Sequence, residues 1–215
     1  MKGLTIKIKY GKIISQSNSG GKIEMKNSIK STRELTKMAL LAALLCVSAY
    51  ITIPIGTIPL TLQTLLINLI AIMLVPSEAF FTVLVYILIG AVGIPVFSGG
   101  QGGLGKLFGP TGGYIFAFLA AAPVMSLTKE FFAGVFGRFT KNQTTARLVG
   151  YAVNAVVVGM VIVYAIGTVY MKIMLGRGWG EVLMMAVVPF IPLDIVKCVV
   201  ASVIGVPLKS AMDRK

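Results

Sequence analysis

Histidine is absent from this chain of 215 residues, and acidic residues are scarce, with seven Asp and Glu in total. Without histidine, Ser-His nucleophilic dyads and histidine-based zinc sites are excluded. The only aspartates are Asp194 and Asp213, and Asp213 lies in the carboxyl-terminal tail, so no two aspartates share an apolar segment. The Gly-Lys-Ser/Thr signature of an ATP-binding loop is also missing. These absences argue against an enzyme, a resident metal or cofactor, and an ATPase.

Charged residues make up only 13% of the chain and hydrophobic residues 56%, whereas soluble domains carry roughly 25% charged residues. Most of the surface is therefore expected to face lipid, where helices of about 20 residues satisfy their own backbone. The long apolar segments exclude a soluble α/β domain. The sequence predicts an all-α, polytopic integral membrane protein. Cys46 and Cys198 both lie in apolar runs and are expected to be buried thiols.

Six apolar segments follow the polar amino terminus, separated by prolines, glycines and charges. They predict six transmembrane helices at residues 36–53, 60–75, 78–96, 114–136, 148–175 and 182–208, the last interrupted by Pro189 and Pro192. We predict a six-helix membrane domain for substrate binding over residues 32–212. Residues 1–31 have no long apolar run and are expected to form a disordered or dispensable cytoplasmic tail. We hypothesise a second translation start at Met25.

The net charge of +13 comes from cations at the ends of apolar segments, not along one polar face. This distribution argues against nucleic acid as a partner and follows the positive-inside rule for a protein in a lipid membrane. Nine Lys and Arg residues lie in the tail and the first turn, four lie near the connection after residue 136, and three lie at the carboxyl end. The opposite side of the membrane has three. Both termini are therefore predicted to be cytoplasmic, with the loops 54–59, 97–113 and 176–181 outside.

Asp194 and Lys197 are the first candidate site, because a carboxylate within an apolar segment is costly unless it has a partner or a ligand. Their spacing of three places them on one helical face, where they can partly neutralise each other. The lysine could meet a ligand carboxylate, and the aspartate could accept from ligand N–H groups. A purely structural ion pair between helices is the alternative.

The loop 97–113 is the second candidate, because its glycines are too concentrated for a regular helix. Its sequence is FSGGQGGLGKLFGPTGG, and the candidate ligand-binding residues in it are Gly99, Gly100, Gly102 and Gly103. Backbone N–H groups in such turns can receive an anion or a carbonyl oxygen. A flexible loop without a ligand role remains the alternative.

Other polar residues in the apolar segments are weaker candidates. Gln63, Asn154 and Tyr114 could contact a ligand, or could form hydrogen bonds between helices. On the first helix, Ala39 and Ala43 are four residues apart, with Ala42 beside them. Small residues at this spacing let another helix approach closely, either within the protein or from a partner subunit.

Three segments resemble the BioY family, the biotin-specific substrate-binding (S) components of energy-coupling factor (ECF) transporters. They are IPLTLQTL at 58–65, GAVGIPVFSGGQGGLGKLFGPTGGY at 90–114 and PLDIVKCVVA at 192–201, and the resemblance covers residues 32–210. It implies a multi-pass protein of the bacterial plasma membrane that binds biotin at its outer face. It also implies partnership with a transmembrane coupling subunit and two ATPase subunits that drive uptake.

By motif position, the resemblance implies that Asp194 and Lys197 contact the ligand and that the loops around Thr61 to Gln63 and Gly99 to Tyr114 cover it. It also implies that Ala39 and Ala43 meet the coupling subunit. An S component for another vitamin, such as thiamine or riboflavin, is an alternative. An ion-coupled secondary transporter would also use an intramembrane carboxylate, but such proteins usually have more spans or an inverted repeat.

Overall fold

The structure is a computed structural model that describes residues 32–55 and 58–213. The predicted tail 1–31, with the second start at Met25, lies outside the described residues. Within them, helices dominate and the elements are, in chain order, α1 (Thr32–Ser48), β1 (Thr52–Ile55), β2 (Ile58–Thr61), α2 (Gln63–Met73), α3 (Pro76–Ala91), α4 (Leu104–Leu107), α5 (Gly112–Phe136), α6 (Gln143–Asn154), a π-helical segment (Ala155–Met160), α7 (Val161–Leu175), α8 (Trp179–Ala186) and α9 (Ile191–Asp213).

Local signals mark several helix ends. Pro76 is the first residue of α3, where its missing N–H costs nothing, and the Glu78 carboxylate accepts from the backbone N–H of Val75 at 3.5 Å. Asn142 caps α6, since its side-chain oxygen accepts from two backbone N–H groups of the first turn. Gly176 ends α7 in the left-handed conformation, with φ of 63°.

The helix α5 lies at the centre of the bundle and packs against α2, α3, α6 and α7. Its small residues Ala117, Ala121 and Ala122 are fully buried. At Gly150 in α6 an added Cβ would lie 2.6 Å from the backbone of Ala133. Small residues therefore let α6 approach α5 at backbone distance, which is typical of membrane helix packing.

A helix lies at each of the six positions where a span was predicted. Three of these helices are long and apolar enough to cross a membrane, namely Gly112–Phe136, Gln143–Leu175 and Ile191–Met212, while Gln63–Met73 and Pro76–Ala91 are shorter apolar helices. The all-α polytopic fold is thus confirmed. The number of spans and the side of the termini stay predictions.

One segment differs from the sequence-based expectation. Residues 52–55 and 58–61 pair as the antiparallel strands β1 and β2, with Thr52 opposite Thr61. The prediction that helices reach residue 53 and restart at residue 60 is wrong, because prolines block a helix and the intervening Thr and Ile favour strands.

The predicted interruption of the segment 182–208 near Pro189 and Pro192 is present, since α8 ends at Ala186 and α9 begins at Ile191. Pro189 and Pro192 disfavour helix in the residues before them, and Pro192 itself fits the first turn of α9. Asp194 consequently lies in the first turn of α9.

Candidate functional site

A cavity opens between α2, α5, α7 and α9, beneath the hairpin and the Gly-rich loop. The space between its atoms is about 660 Å³ when the open solvent at its mouth is included. The wall combines apolar side chains with a few convergent polar groups. It is lined by Pro59, Leu60, Thr61, Gln63, Thr64, Ser98, Lys106, Thr111, Tyr114, Ile115, Phe118, Val163, Tyr164, Ala186, Phe190, Asp194 and Lys197.

Asp194 and Lys197 form an ion pair at the cavity wall, with Nζ and Oδ1 2.8 Å apart and both residues 6% exposed. The same Oδ1 accepts from the Thr64 hydroxyl at 3.0 Å, and Oδ2 accepts from the Tyr164 hydroxyl at 2.6 Å. The carboxylate is thus held from three helices. Its place in the first turn of α9 adds the favourable field of a helix amino terminus.

The Lys197 ammonium has two further acceptors besides Asp194. It donates to the Thr61 carbonyl at 2.7 Å and to the Thr64 hydroxyl at 3.2 Å. An ammonium group has three N–H donors, so these three contacts use all of them. Lys197 therefore fastens the end of β2 and the start of α2 to α9.

Gln63 borders the cavity, but both the oxygen and the nitrogen of its side-chain amide already form hydrogen bonds within the protein. The amide oxygen accepts from the Thr61 hydroxyl at 3.1 Å, and the amide nitrogen donates to the buried Tyr86 hydroxyl. The Tyr86 ring meets Phe97 edge to face at 5.6 Å between centroids. This chain of contacts fixes the amide plane relative to the Gly-rich loop.

Tyr114 forms part of the wall beside α7 and α8. Its hydroxyl lies 3.1 Å from Thr168 Oγ1 and 3.4 Å from the Ala186 carbonyl. An added Cβ at Gly167 would lie 2.3 Å from the Tyr114 ring, so that glycine makes room for it. The ring therefore closes the cavity between α5 and α7.

Comparison with known proteins supports the relationship suggested by the motifs. The model of the BioY family matches residues 22–214. The chain belongs to the BioY family. It is 36% identical to the biotin transporter BioY2 of Lactococcus lactis over 179 residues, covering 83% of this chain and 91% of that protein. It is 34% identical to the biotin transporter BioY of Thermotoga maritima, covering 82% and 96%.

Solved structures agree with this membership. A crystal structure of the S component for biotin from an ECF-type ABC transporter superposes with a TM-score of 0.72 at 25% identity, covering 83% of this chain and 92% of that one. The S component of a bacterial ECF transporter matches with a TM-score of 0.50 at 18% identity, covering 85% and 96%, and shares the fold alone. This BioY chain is accordingly a multi-pass membrane protein.

Of the predicted ligand-binding residues, the fold brings Thr61, Gln63, Tyr114, Asp194 and Lys197 to one cavity. Asn154 is not at the cavity wall. Its amide nitrogen donates to the Met125 carbonyl at 2.9 Å, and its oxygen accepts from the Thr128 hydroxyl at 2.6 Å. Asn154 thus joins α6 to α5, which is the alternative that the sequence left open.

The four predicted glycines shape the loop without lining the cavity. Gly99, Gly100 and Gly103 have positive φ values of 77°, 66° and 86°. An added Cβ at Gly102 would lie 2.4 Å from the Ile94 carbonyl oxygen. The glycines therefore fold the loop tightly and aim its other residues, Ser98, Lys106 and Thr111, at the cavity.

Sequence reasoning missed several lining residues: Thr64, Ser98, Lys106, Thr111 and Phe190. Thr64 and Tyr164 are the most consequential, because both donate to Asp194. Tyr164 is one polar residue in an otherwise apolar helix, and its position in the sequence does not mark it as a partner of Asp194. Burial lowers the pKa of the Lys106 ammonium, which lies in the loop and not in a predicted span.

On α1, the small residues have different surroundings. Ala42 is 6% exposed and packs within the protein, whereas Ala39 and Ala43 lie on an exposed face. Exposed apolar residues flank them, including Leu35, Leu40 and Val47. This face of α1 is exposed and apolar, with small side chains at Ala39 and Ala43.

Proposed function

We propose that this chain captures biotin as the substrate-binding subunit of an ECF-type, ATP-driven uptake transporter, and that it is a transport protein and not an enzyme. The observation that carries the proposal is the buried carboxylate of Asp194, braced by Lys197, Thr64 and Tyr164 at the wall of a mostly apolar cavity in a BioY chain. Buried ionisable groups in membrane helices usually mark a substrate site.

Hydrogen-bond accounting assigns different roles to the two charged residues. Lys197 has no N–H left for a ligand without releasing a partner, so it acts as a positioning residue. A carboxylate offers about four acceptor positions, and Asp194 uses three. Asp194 is therefore the group that accepts from a ligand N–H, which the ureido ring of biotin supplies.

The rest of the cavity suits the remainder of biotin. Phe118, Val163 and Phe190 give an apolar surface for the thiophane ring. Lys106 also lines the cavity, from the Gly-rich loop, where its ammonium can meet the valerate carboxylate. The proposed orientation therefore has the ureido ring at Asp194 and the carboxylate at Lys106.

The partner subunits are inferred from the exposed face of α1. We propose that Ala39 and Ala43 receive a helix of the transmembrane coupling subunit, with two ATPase subunits supplying the energy. Support comes from the exposure of both alanines beside the buried Ala42. Ala39→Trp should leave biotin affinity within about twofold but reduce coupled uptake more than tenfold; Leu127→Trp, on an exposed part of α5, is the control.

Topology and domain limits belong to the same proposal. Six spans with both termini in the cytoplasm would put Lys106 and the cavity on the outer side. Residues 32–212 should then bind biotin without the tail 1–31. Cysteine labelling from either side tests the first point, and binding by the truncated chain tests the second.

The decisive experiment is equilibrium binding of biotin to the purified chain in detergent, with thiamine and riboflavin as competitors. The proposal predicts stoichiometric binding that neither competitor displaces. Displacement by thiamine or riboflavin would assign a different ligand. A folded, monodisperse sample without biotin binding would contradict the proposal.

A further inference from the structure

A second, outer cleft adjoins the cavity. One wall consists of the Gly-rich loop and the other of the end of α7 with α8, and the space between them is about 1,160 Å³ when its open mouth is included. Lys106 and Thr111 line both the cleft and the cavity. The two spaces therefore meet at these residues. The cleft is lined by Gln101, Gly102, Gly105, Lys106, Gly109, Pro110, Thr111, Met171, Leu175, Arg177 and Met185.

The end of β2, at Leu60 and Thr61, borders the cavity from another side and is firmly attached. Leu60 is 4% exposed, and the Thr61 carbonyl accepts from the Lys197 ammonium at 2.7 Å. The Thr61 hydroxyl also donates to Gln63. Moving this end of β2 would therefore disrupt the same buried network that holds Asp194.

The helix α8 is held much more loosely. Its buried side chains Val182 and Ala186 pack with Met171 in a small apolar cluster separate from the main core. The Ala186 carbonyl receives the Tyr114 hydroxyl only at 3.4 Å, near the limit for a hydrogen bond. Two glycines precede α8, of which Gly176 has φ of 63°. Few buried contacts beside flexible residues are what a locally opening element requires.

The cleft also carries positive charge. Lys106 lies at its junction with the cavity, and Arg177 lines its wall. The nearby Glu181 pairs with Arg177 only at 3.9 Å, with both side chains more than half exposed, so it offsets that charge weakly. An anionic ligand is therefore drawn toward the junction.

We propose that the ligand enters and leaves through this cleft, and that α8 swinging away from the Gly-rich loop opens it. The inference rests on the proposed capture of biotin. It assigns Gly105 and the opening of α8 to the control of the association and dissociation rates. The affinity for biotin is set by the residues that line the cavity beneath.

Gly105 offers a way to obstruct the cleft without disturbing the fold. An added Cβ there meets nothing within 4 Å, and its φ is not in the left-handed region. Gly105→Trp should slow both association and dissociation of biotin at least tenfold while the Kd stays within threefold. Gly180→Trp is the matched control, because Gly180 is equally open and lies on α8 away from the cleft lining; its rates should remain those of the wild type.

A second variant avoids any effect on folding. Gly105→Cys, loaded with biotin and then coupled to a bulky maleimide, should retain its biotin at least tenfold longer than the unlabelled protein. Wild-type protein treated in the same way controls for labelling of Cys46 and Cys198. Unchanged rates in both blocked proteins, or a changed Kd without slower exchange, would overturn the inference. Failure of the unmodified chain to bind biotin would instead contradict the proposed function.

Discussion

Two buried lysines hold the two ends of α2, and their surroundings differ. At one end the Lys197 ammonium contacts a carboxylate, a hydroxyl and the Thr61 carbonyl. At the other end the Lys129 ammonium donates to three carbonyls, those of Ala71 and Leu74 at 2.7 Å and Ile72 at 2.9 Å. The two residues are 6% and 5% exposed. Equal burial therefore serves different purposes, since only Lys197 lies at the cavity wall.

The length of α2 explains why its carboxyl end needs a buried donor such as Lys129. Its 11 residues give a helix of about 16 Å, roughly half the 30 Å of the hydrocarbon core. Both ends cannot reach the head groups together. The end carbonyls, which have no partner inside a helix, must be satisfied by protein groups. Lys129 does this at the carboxyl end of α2, while Lys197 links the other end to the site.

The largest expected effect is on stability, from Lys129→Met. The Ala71 and Ile72 carbonyls would lose the lysine donor, whereas the Leu74 carbonyl would keep the Ser126 hydroxyl at 2.6 Å, and each buried unsatisfied group costs about 1–3 kcal/mol. We expect thermal unfolding in detergent to show a loss of about 3 kcal/mol or more, with biotin affinity of the folded fraction unchanged. Lys141→Met, at an exposed position, is the control. A loss of biotin affinity without a loss of stability would contradict the prediction, because Lys129 would then act on the site as Lys197 does.

The next effect separates affinity from stability at Lys197. Lys197→Met should weaken biotin binding more than tenfold, or about 1.4 kcal/mol, and destabilise the protein because the buried Asp194 side chain would lose its ionic partner. Adding Asp194→Asn should restore much of the stability but not the affinity. Calorimetric titration and thermal unfolding measure the two quantities. Normal binding by the single variant would return the pair to a purely structural role.

The smallest effect concerns a third lysine, Lys106, whose pKa burial lowers. A bound carboxylate stabilises the charged ammonium and raises this pKa again. Affinity is therefore complete below the pKa of the free protein and declines as the pH rises through it. Between pH 7 and 10 we expect a decline of less than about tenfold, measured by titration. Lys106→Gln should flatten the profile; an unchanged profile would place the carboxylate elsewhere.

The contrast also shows what the sequence reveals. Asp194 and Lys197 could be predicted because two charges three residues apart stand out in an apolar segment. Thr64, which completes their network, is 130 residues from Asp194, and a threonine near a helix start has many ordinary uses. The partners of Lys129 are backbone carbonyls more than 50 residues away. A pattern of side chains in the sequence cannot predict such contacts. Membership of the BioY family was visible in motifs, whereas the division between hairpin, α8 and α9 depended on proline positions.

The π-helical segment Ala155–Met160 has a further consequence for the site. A π turn accommodates one more residue than an α turn, which rotates everything after it by about 100° around the helix axis relative to a regular helix. Asn154, before the segment, faces α5, and Tyr164, after it, faces Asp194. The segment therefore sets the angular phase between two halves of one continuous helix. Removing a single residue there would turn Tyr164 away from the carboxylate while leaving the length of the span almost unchanged.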